Sequence, residues 1–165
     1  MKFKSSLIYS THAETPLGGV TLAATDQGLA GMWFDAQRHF PDTAGWIAAP
    51  DHPVLREAAT QLVSYFAGQR DHFDIPLDLS HGTAFQQLVW QALLRIPHGG
   101  TTSYGQLSEQ VGNRAAVRAV GSAVGRNPIS VIVPCHRVLG ADGSLTGYAG
   151  GLDRKTRLLQ LERAS

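Results

Sequence analysis

The sequence is poor in cysteine, in charged residues and in long hydrophobic runs. A single cysteine among 165 residues excludes an internal disulfide and a cysteine-rich zinc site, so we expect a reducing, cytoplasmic location. No apolar stretch is long enough to cross a bilayer, and no apolar segment follows Lys2 and Lys4 as a signal peptide would require. We therefore expect no membrane association. Charged residues make up 16% and apolar residues 43% of the chain, which is typical of an ordinary globular protein.

The net charge of +1 conceals an uneven distribution along the chain. Residues 1–80 contain five Lys or Arg and nine Asp or Glu, whereas residues 81–165 contain nine and four. A polyanionic partner would therefore bind the second half, although a solvated basic surface without a partner explains the charge equally well. The apolar pattern lapses at Asp78–Gly82, and we predict two domains, 1–80 and 81–165.

The first half predicts a small antiparallel sheet and one helix. Apolar runs at Leu7–Ser10, Val20–Thr25 and Leu29–Phe34 are separated by glycine-containing turns, which is typical of a meander. After Asp51, apolar residues at helical spacing predict a helix that ends at Gly68. Phe73–Leu77 is a further candidate, as an edge strand. Five histidines lack metal-ligand spacing and are expected at the surface: His12, His39, His52, His72 and His81.

The second half predicts several helices. Thr83 with Gln86, and Ser103 with Gln106, match the capping-box pattern and predict helices through Leu94 and over Tyr104–Gln110. The first of these has an apolar stripe of Phe85, Leu88, Val89, Ala92 and Leu93. After Gly112, Asn113 can cap a further helix, Arg114 to Val124, and the last two helices have the proportions of a helix-turn-helix. The expected fold class is α/β (α+β), with an N-terminal antiparallel sheet plus helix and a mostly helical C-terminal domain.

The second helix of this helix-turn-helix has one apolar and one small, basic face. The apolar face contains Ala116, Val117, Val120, Ala123 and Val124, and the opposite face contains Arg114, Ala115, Arg118, Gly121, Ser122 and Gly125. A narrow basic face can approach a DNA backbone closely but carries few side chains that could read base edges. It favours sequence-tolerant DNA contact, with the helix in the minor groove. Packing of the small residues against another helix is the alternative.

The lone cysteine lies in the most distinctive stretch, Val131 to Leu139. Three β-branched residues predict a short buried strand, Pro134 ends it, and Cys135-His136-Arg137 follow. A thiol held in place near positive charge can act as a nucleophile, whereas a buried, inert cysteine is the alternative. A final helix, Asp153 to Arg163, places Glu162 on its apolar face. Because a buried carboxylate needs a partner, we predict that Glu162 pairs with His136.

Three motifs around this cysteine closely resemble those of a known family. Asn127-Pro128, Pro134–Arg137 and Thr146-Gly147-Tyr148-Ala149-Gly150-Gly151 resemble the active-site signature of O6-alkylguanine-DNA alkyltransferases, also called methylated-DNA–protein-cysteine methyltransferases. The resemblance implies irreversible transfer of a methyl or other alkyl group from O6-alkylguanine in DNA, with O4-alkylthymine as a further candidate lesion, to Cys135. It implies one event per molecule, on a base flipped out of the duplex.

The resemblance also implies roles for individual residues. A relay Glu162–His136–water–Cys135 would generate a thiolate near neutral pH, and Asn127 would hold the turn around the cysteine. The Tyr104 hydroxyl would donate to a ring nitrogen of the base and the Ala149 N–H to O6, while the carbonyls of Cys135 and Val138 would accept the exocyclic amine. Tyr148 would wall the pocket, with Gly147, Gly150 and Gly151 allowing close backbone approach. Arg118 would replace the extruded nucleotide in the base stack. From the composition of the helix face, and not from the resemblance, we expect Arg114, Ala115 and Ser122 to contact DNA.

The expected partner is double-stranded DNA that contains alkylated guanine, with no cofactor. Some family members have a zinc site in the first half that is built partly from cysteines. The first half of this chain contains no cysteine, so we predict no metal. We expect a monomer, and cooperative assembly on DNA stays open. Two other functions compete: a Cys-His-Glu hydrolase, which would turn over, and a non-catalytic DNA-lesion-binding protein, which would need only the helix-turn-helix.

Overall fold

A computed structural model describes residues 3–4 and 7–163 of the chain. Its first half contains a four-stranded sheet in the order β3-β2-β1-β4. The strands are β1 (Tyr9–Thr15), β2 (Gly18–Thr25), β3 (Gly28–Phe34) and β4 (Ile47–Ala48). The first three are antiparallel, which confirms the predicted meander, and β4 runs parallel to β1 at the far edge.

Two strand predictions in this half need correction. The first strand begins at Tyr9 rather than Leu7 and continues to Thr15, because its outer residues are polar and it is held by pairing with β2 rather than by an apolar run. The segment Phe73–Leu77 is not a strand, and only Leu77 forms an isolated bridge, to Leu29. Pro76 cannot donate a backbone hydrogen bond, which limits pairing there.

The outer edge of β3 joins the two halves of the molecule. Near its start, Leu29 N–H donates to the Pro76 carbonyl at 2.8 Å. Further along, Met32 N–H donates to the Pro128 carbonyl at 2.8 Å, and Ser130 N–H donates to the Met32 carbonyl at 3.1 Å. The sheet edge therefore supports the turn that precedes Cys135.

The described residues also form five α-helices: α1 (Pro53–Phe66), α2 (Ala84–Leu93), α3 (Tyr104–Gln110), α4 (Val117–Gly125) and α5 (Leu152–Arg163). Both predicted capping boxes are present, at the starts of α2 and α3. The cap of α1 is His52, whose ring accepts a hydrogen bond from Val54 N–H at 3.2 Å. Its predicted role as a mere surface residue was therefore incomplete, because an imidazole nitrogen can satisfy an unpaired helix N–H.

The helix predicted from Arg114 begins differently in the structure. A 3₁₀ turn, Arg114–Ala116, is capped by the Asn113 side chain and leads into α4. Because a 3₁₀ turn has three residues per turn rather than 3.6, the face expected for a continuous helix is rotated at its start. Val117, predicted to be core, is consequently 42% exposed.

Helix α2 also presents one predicted core residue to solvent. Leu88 is 50% exposed, whereas Val89, Trp90, Ala92 and Leu93 are buried. The buried side of α2 packs on α4, where Trp90 Nε1 donates to the Ala123 carbonyl at 2.9 Å. The packed face is thus centred on Trp90, and Leu88 falls outside it.

One buried cluster extends through both halves, from the sheet and α1 to α2, α4 and α5. A short parallel pair, β5 (Thr102–Ser103) with β6 (Val138–Leu139), fixes the start of α3 next to the segment that follows Cys135. Within the residues described, no helix is long and apolar enough to cross a membrane.

Candidate active site

A cavity of about 320 Å³ opens beside the only cysteine. Its walls come from the loop after β3, the start of α3, the end of α4 and the segment before α5. The residues that line it are Arg38, His39, Tyr104, Gly121, Ser122, Val124, Gly125, Arg126, Cys135, Gly147, Tyr148 and Ala149.

The segment before Cys135 is a buried turn and not the strand that was predicted. Val131 has φ +71°, a conformation that a β-branched residue adopts only under constraint. The constraint comes from Asn127, whose side chain accepts from Ile129 N–H at 3.0 Å and donates to the Val133 carbonyl at 2.8 Å. These bonds replace a strand ladder, and they agree with the prediction that Asn127 holds the turn.

Cys135 lies at the start of a 3₁₀ turn, Cys135–Arg137, and is only 7% exposed. Burial raises the pKa of its thiol to about 11, although a hydrogen bond from Asn127 and the charge of Lys155 act in the opposite direction. The distance from Asn127 Nδ2 to Sγ is 3.1 Å. Desolvation therefore favours the neutral thiol in this structure, and generation of a thiolate through the relay stays a prediction.

The predicted pairing of His136 with Glu162 is present. His136 is fully buried, and its Nε2 lies 2.8 Å from Glu162 Oε2. Burial lowers the pKa of His136 even though the neighbouring carboxylate favours the charged form. A neutral imidazole bound to a carboxylate carries its hydrogen on the bonded nitrogen, so Nδ1 has the free lone pair. Nδ1 is buried and has no hydrogen-bond partner among the described residues.

Glu162 is held as an anion by two further groups that the sequence analysis did not identify. Arg137 binds it in a bidentate ion pair, Nε to Oε1 and Nη2 to Oε2, each at 2.8 Å. The Tyr65 hydroxyl donates to Oε2 at 2.6 Å. Although burial opposes ionisation, hydrogen bonds from His136, Arg137 and Tyr65 hold the pKa of Glu162 far below its ordinary value.

Lys155 is a second buried cation in this region. Its Nζ donates to the backbone carbonyls of Val138 at 2.7 Å, Thr146 at 2.9 Å and Gly147 at 3.3 Å. These bonds satisfy the ammonium group without a carboxylate partner. They tie the segment before α5 to β6, so Lys155 positions the cavity wall that contains Gly147. Burial lowers the pKa of Lys155, and Cys135 opposes this shift.

The structure brings most predicted substrate-binding residues to the cavity. Tyr104, Tyr148 and Ala149 line it, and the Ala149 N–H donates to no other described residue. Burial raises the pKa of the Tyr104 hydroxyl, which stays a donor at neutral pH. Val138 and Gly150 are buried but do not line the cavity. The Cys135 carbonyl already accepts from Val138 N–H.

The predicted DNA-binding residues all lie at the exposed surface of the 3₁₀ turn and α4. Arg118 is exposed and makes no hydrogen bond or ion pair within residues 3–4 and 7–163. Arg114 forms an exposed ion pair with Glu109 at 3.2 Å. Ala115 and Ser122 are exposed, and Ser122 also lines the cavity. The exposed face of α4 therefore continues into the opening of the cavity.

Sequence reasoning missed the contribution of the first half to this site. Arg38 and His39 line the cavity from the loop after β3, and no motif marked them. His81, expected at the surface, has a side chain only 5% exposed and pairs with Asp78 at 3.0 Å. Among the described residues, no group of His, Cys, Asp and Glu side chains is arranged to hold a metal ion.

Comparison with known proteins gives consistent matches over both halves. The family description "6-O-methylguanine DNA methyltransferase, ribonuclease-like domain" matches residues 8–79, and "6-O-methylguanine DNA methyltransferase, DNA binding domain" matches residues 84–164. A methylated-DNA–protein-cysteine methyltransferase of Mycobacterium leprae is 50% identical over 157 residues, covering 95% of this chain and 93% of that protein. One of Methanosarcina acetivorans is 46% identical over 158 residues, covering 94% and 98%.

A solved structure shares the fold as well as the sequence. The crystal structure of Mycobacterium tuberculosis OGT in complex with DNA has a TM-score of 0.85 and 46% identity, with 95% of this chain and 92% of that chain covered. The similarity therefore includes the sheet of the first half and the helices of the second, which confirms the predicted fold class.

Proposed function

The chain belongs to the family of methylated-DNA–protein-cysteine methyltransferases, and we propose that Cys135 is the residue that accepts the alkyl group. This family acts in DNA repair by alkyl transfer from DNA to a protein cysteine, and Cys135 is the only cysteine in this chain. The observation that carries the proposal is that this thiol lies in the same cavity as Tyr104, Tyr148 and Ala149. The substrate is O6-alkylguanine in double-stranded DNA.

The proton of the buried thiol leaves through His136. Nδ1 of His136 has the free lone pair, because Nε2 is bound to Glu162 at 2.8 Å. A water between Sγ and Nδ1 would satisfy this unpaired nitrogen and carry the proton to it. Glu162 orients the ring and stabilises the imidazolium that forms. Since burial favours the protonated thiol, His136 would take up the proton as the sulfur attacks.

The reaction is an in-line displacement at a saturated carbon. The sulfur forms a bond to the alkyl carbon while the bond from that carbon to guanine O6 breaks, and the electron pair leaves with the base. Negative charge therefore develops on the guanine, where positioned donors are most effective. The Tyr104 hydroxyl donates to a ring nitrogen and the Ala149 N–H to O6. The released guanine anion takes up one proton from solvent, and the imidazolium of His136 returns one to solvent, so that protons balance. Carbonyl oxygens of Cys135 and Val138 accept the exocyclic amine, since each can accept two hydrogen bonds.

The same donors also suit O4 of an alkylated thymine. Thymine is the smaller base and would make fewer contacts with Tyr148. We therefore extend the proposal to O4-alkylthymine as a poorer substrate.

The product does not regenerate the enzyme. An alkylated cysteine is a thioether, which has no polarised carbonyl for water to attack. Each molecule therefore repairs one lesion, and no cofactor takes part.

The target base must leave the duplex to reach Cys135, because the thiol is buried at the cavity wall. Flipping costs a few kcal/mol of unstacking. The exposed guanidinium of Arg118 would stack in the vacated space and offset this cost. Arg114, Ala115 and Ser122 would contact the DNA backbone along α4, in a sequence-tolerant manner.

We propose that the protein is a monomer with two domains, residues 1–80 and 81–165, and that the two domains have different roles. The second domain contains the acceptor, the relay and the helix-turn-helix. The first supports it through the edge of β3 and through Tyr65. The matched family descriptions, which divide at residues 79 and 84, support this boundary.

Stoichiometry tests the proposal. An excess of duplex oligonucleotide that contains O6-methylguanine is incubated with a known amount of protein, and repaired guanine is quantified at completion. We expect one repaired base per protein molecule, and none with Cys135→Ser, which should still bind the duplex. Many repaired bases per molecule would indicate turnover, as in a Cys-His-Glu hydrolase, and binding without any repair would indicate a lesion-binding protein. Either result would overturn the proposal.

A further inference from the structure

A loop from the first half forms part of the cavity rim. We call residues 35–39, which follow β3, the Arg38 loop. Arg38 and His39 line the same cavity as Cys135 and Tyr104, and both side chains are exposed. Nothing in the proton relay or in base recognition uses them. Arg38 and His39 are therefore available for contacts with another part of the substrate.

The Arg38 loop is fixed in place over the cavity. The buried Gln37 side chain accepts from Phe34 N–H at 2.8 Å and donates to the Arg38 carbonyl at 3.2 Å. Arg38 N–H donates to the Ala149 carbonyl at 3.0 Å, which attaches the loop to the segment that receives the base. His39 has φ +59°, a left-handed conformation that histidine adopts more readily than most non-glycine residues. The loop therefore presents its side chains in a defined direction.

The rim of the cavity is basic on both sides. Arg126, at the end of α4, lines the cavity together with Arg38 and His39. Burial, followed by the charges of Arg126 and Arg38, lowers the pKa of His39. No Asp or Glu is among the residues that line the cavity. Neither Arg38 nor Arg126 forms a salt bridge with any residue in the described ranges.

A second cavity continues this rim away from the cysteine. It has a volume of about 140 Å³ and shares His39, Gly125 and Arg126 with the first. His39 and Arg126 therefore lie between two neighbouring depressions of the surface.

We propose that the Arg38 loop is part of the DNA interface, where Arg38 and His39 bind backbone phosphates of the lesion-bearing strand opposite Arg126. This inference rests on the proposed function, because it requires a nucleotide that has entered the cavity. When a base fills the cavity, the phosphates on either side of its sugar lie at the rim. A guanidinium matches the geometry of a phosphate, and a neutral imidazole can donate one hydrogen bond to it. Phosphate contacts position the strand without reading its sequence.

The test compares a substrate that has phosphates with one that lacks them. The variants are Arg38→Gln, His39→Asn and the double variant, since asparagine tolerates the positive φ at position 39. Methyl transfer is measured with a duplex oligonucleotide containing O6-methylguanine and with free O6-methylguanine base, over a range of salt concentrations. The matched control is Arg56→Gln, which removes one exposed arginine from α1, outside the cavity lining.

We expect the ratio of the duplex rate to the free-base rate to fall about tenfold in the double variant. The slope of log rate against log salt should become shallower by about 0.9, for the one phosphate that Arg38 neutralises, since a neutral imidazole at His39 releases no counterion. Arg56→Gln should leave both quantities as in the wild type.

The possible failures are distinguishable. If the wild type transfers no methyl group from either substrate, the proposed function is wrong. If the wild type is active but the double variant retains the same ratio and salt slope, the phosphate role is wrong and the proposed function stands. If the double variant loses activity equally on both substrates, the Arg38 loop shapes the cavity and does not bind phosphate.

Discussion

Burial determines the ionisation of the two residues at the centre of the site. It raises the pKa of the Cys135 thiol to about 11 and lowers the pKa of His136. Both side chains are therefore neutral at neutral pH, which avoids the cost of an isolated buried charge. The charged groups of the site are the ion pair of Arg137 with Glu162, which contacts His136, and the buried ammonium of Lys155. In the proposed reaction, His136 would therefore take up the thiol proton as the sulfur attacks the alkyl carbon.

The raised pKa predicts how the free thiol responds to pH. The folded value of about 11 lies above the ordinary value of 9.0, so the neutral thiol is favoured in the folded protein. As the pH rises from 9.0 towards 11, the unfolded chain loses this proton first, and the free energy of unfolding should fall. In an ultraviolet difference titration against Cys135→Ser, we expect no thiolate absorbance at pH 7 and its first growth above pH 9. Full thiolate absorbance at neutral pH would show that a resting thiolate is the nucleophile.

At the scale of secondary-structure elements, burial was easier to predict from sequence than the kind of element. Val131, Ile132 and Val133 are all buried as expected, yet they form a turn. Apolar β-branched residues fit either structure once they are inside. The hydrogen bonds that select the turn come from the Asn127 side chain, and a sequence gives no distance between an asparagine and a carbonyl six residues away.

In the helices, too, some features could be predicted from the sequence and others could not. The capping boxes at Thr83 and Ser103 were identified correctly because their partners are only three residues apart. The core face of α4 was partly wrong at Val117, because the 3₁₀ turn before it changes the helical register. Capping interactions between residues close in sequence could therefore be predicted, whereas the helical register of α4 depends on its packing against α2 and α3.

The exposed face of α4 leads to a prediction for Arg118. Replacing Arg118 with alanine removes the group that would stack in place of the flipped base, and unstacking costs a few kcal/mol. We expect the methyl-transfer rate on duplex DNA to fall roughly 10- to 100-fold relative to the rate on free base, as measured by rapid-quench kinetics. Arg118→Lys, which keeps the charge but not the planar group, should recover only part of the activity. Equal effects on both substrates would contradict a role in base flipping.

At the scale of the whole molecule, the two halves are joined by contacts that are distant in sequence. Tyr65 donates a hydrogen bond to Glu162, which lies 97 residues later in the chain. The edge of β3 forms backbone hydrogen bonds with Pro76 and with Pro128 and Ser130. Neither contact has a sequence pattern, which explains why the support given by the first half to the active site could not be predicted. The pairing of His136 with Glu162 was predicted because a carboxylate on an apolar helix face requires a nearby partner.

Asp78 is a second link between the sheet and the second half. It accepts hydrogen bonds from Ser80 and Thr25 and pairs with His81. Burial alone would raise its pKa, but these hydrogen bonds lower the pKa to about 2 from an ordinary value of 3.8. The carboxylate is therefore the form that stabilises the folded chain.

This network predicts the effect of Asp78→Asn on stability. We expect the free energy of unfolding at pH 7 to fall by about 1–2 kcal/mol, the usual loss for a hydrogen-bonded charged group. Because the folded pKa is depressed, the contribution is complete above pH 3.8 and is lost as the pH falls towards 2. Urea denaturation of wild type and variant should therefore converge at acid pH. Asp26→Asn, in the exposed turn between β2 and β3, should change stability by no more than about 0.5 kcal/mol. A constant difference between wild type and Asp78→Asn at all pH values would contradict the depressed pKa.

Locating the transferred group tests the central claim most directly. The protein is incubated with duplex DNA that contains O6-methylguanine, its intact mass is measured, and the modified peptide is sequenced by tandem mass spectrometry. We predict the addition of a single methyl group per chain, on the sulfur of Cys135, that persists when excess lesion is present. A methyl group on any other side chain, or repaired DNA beside unmodified protein, would contradict the account.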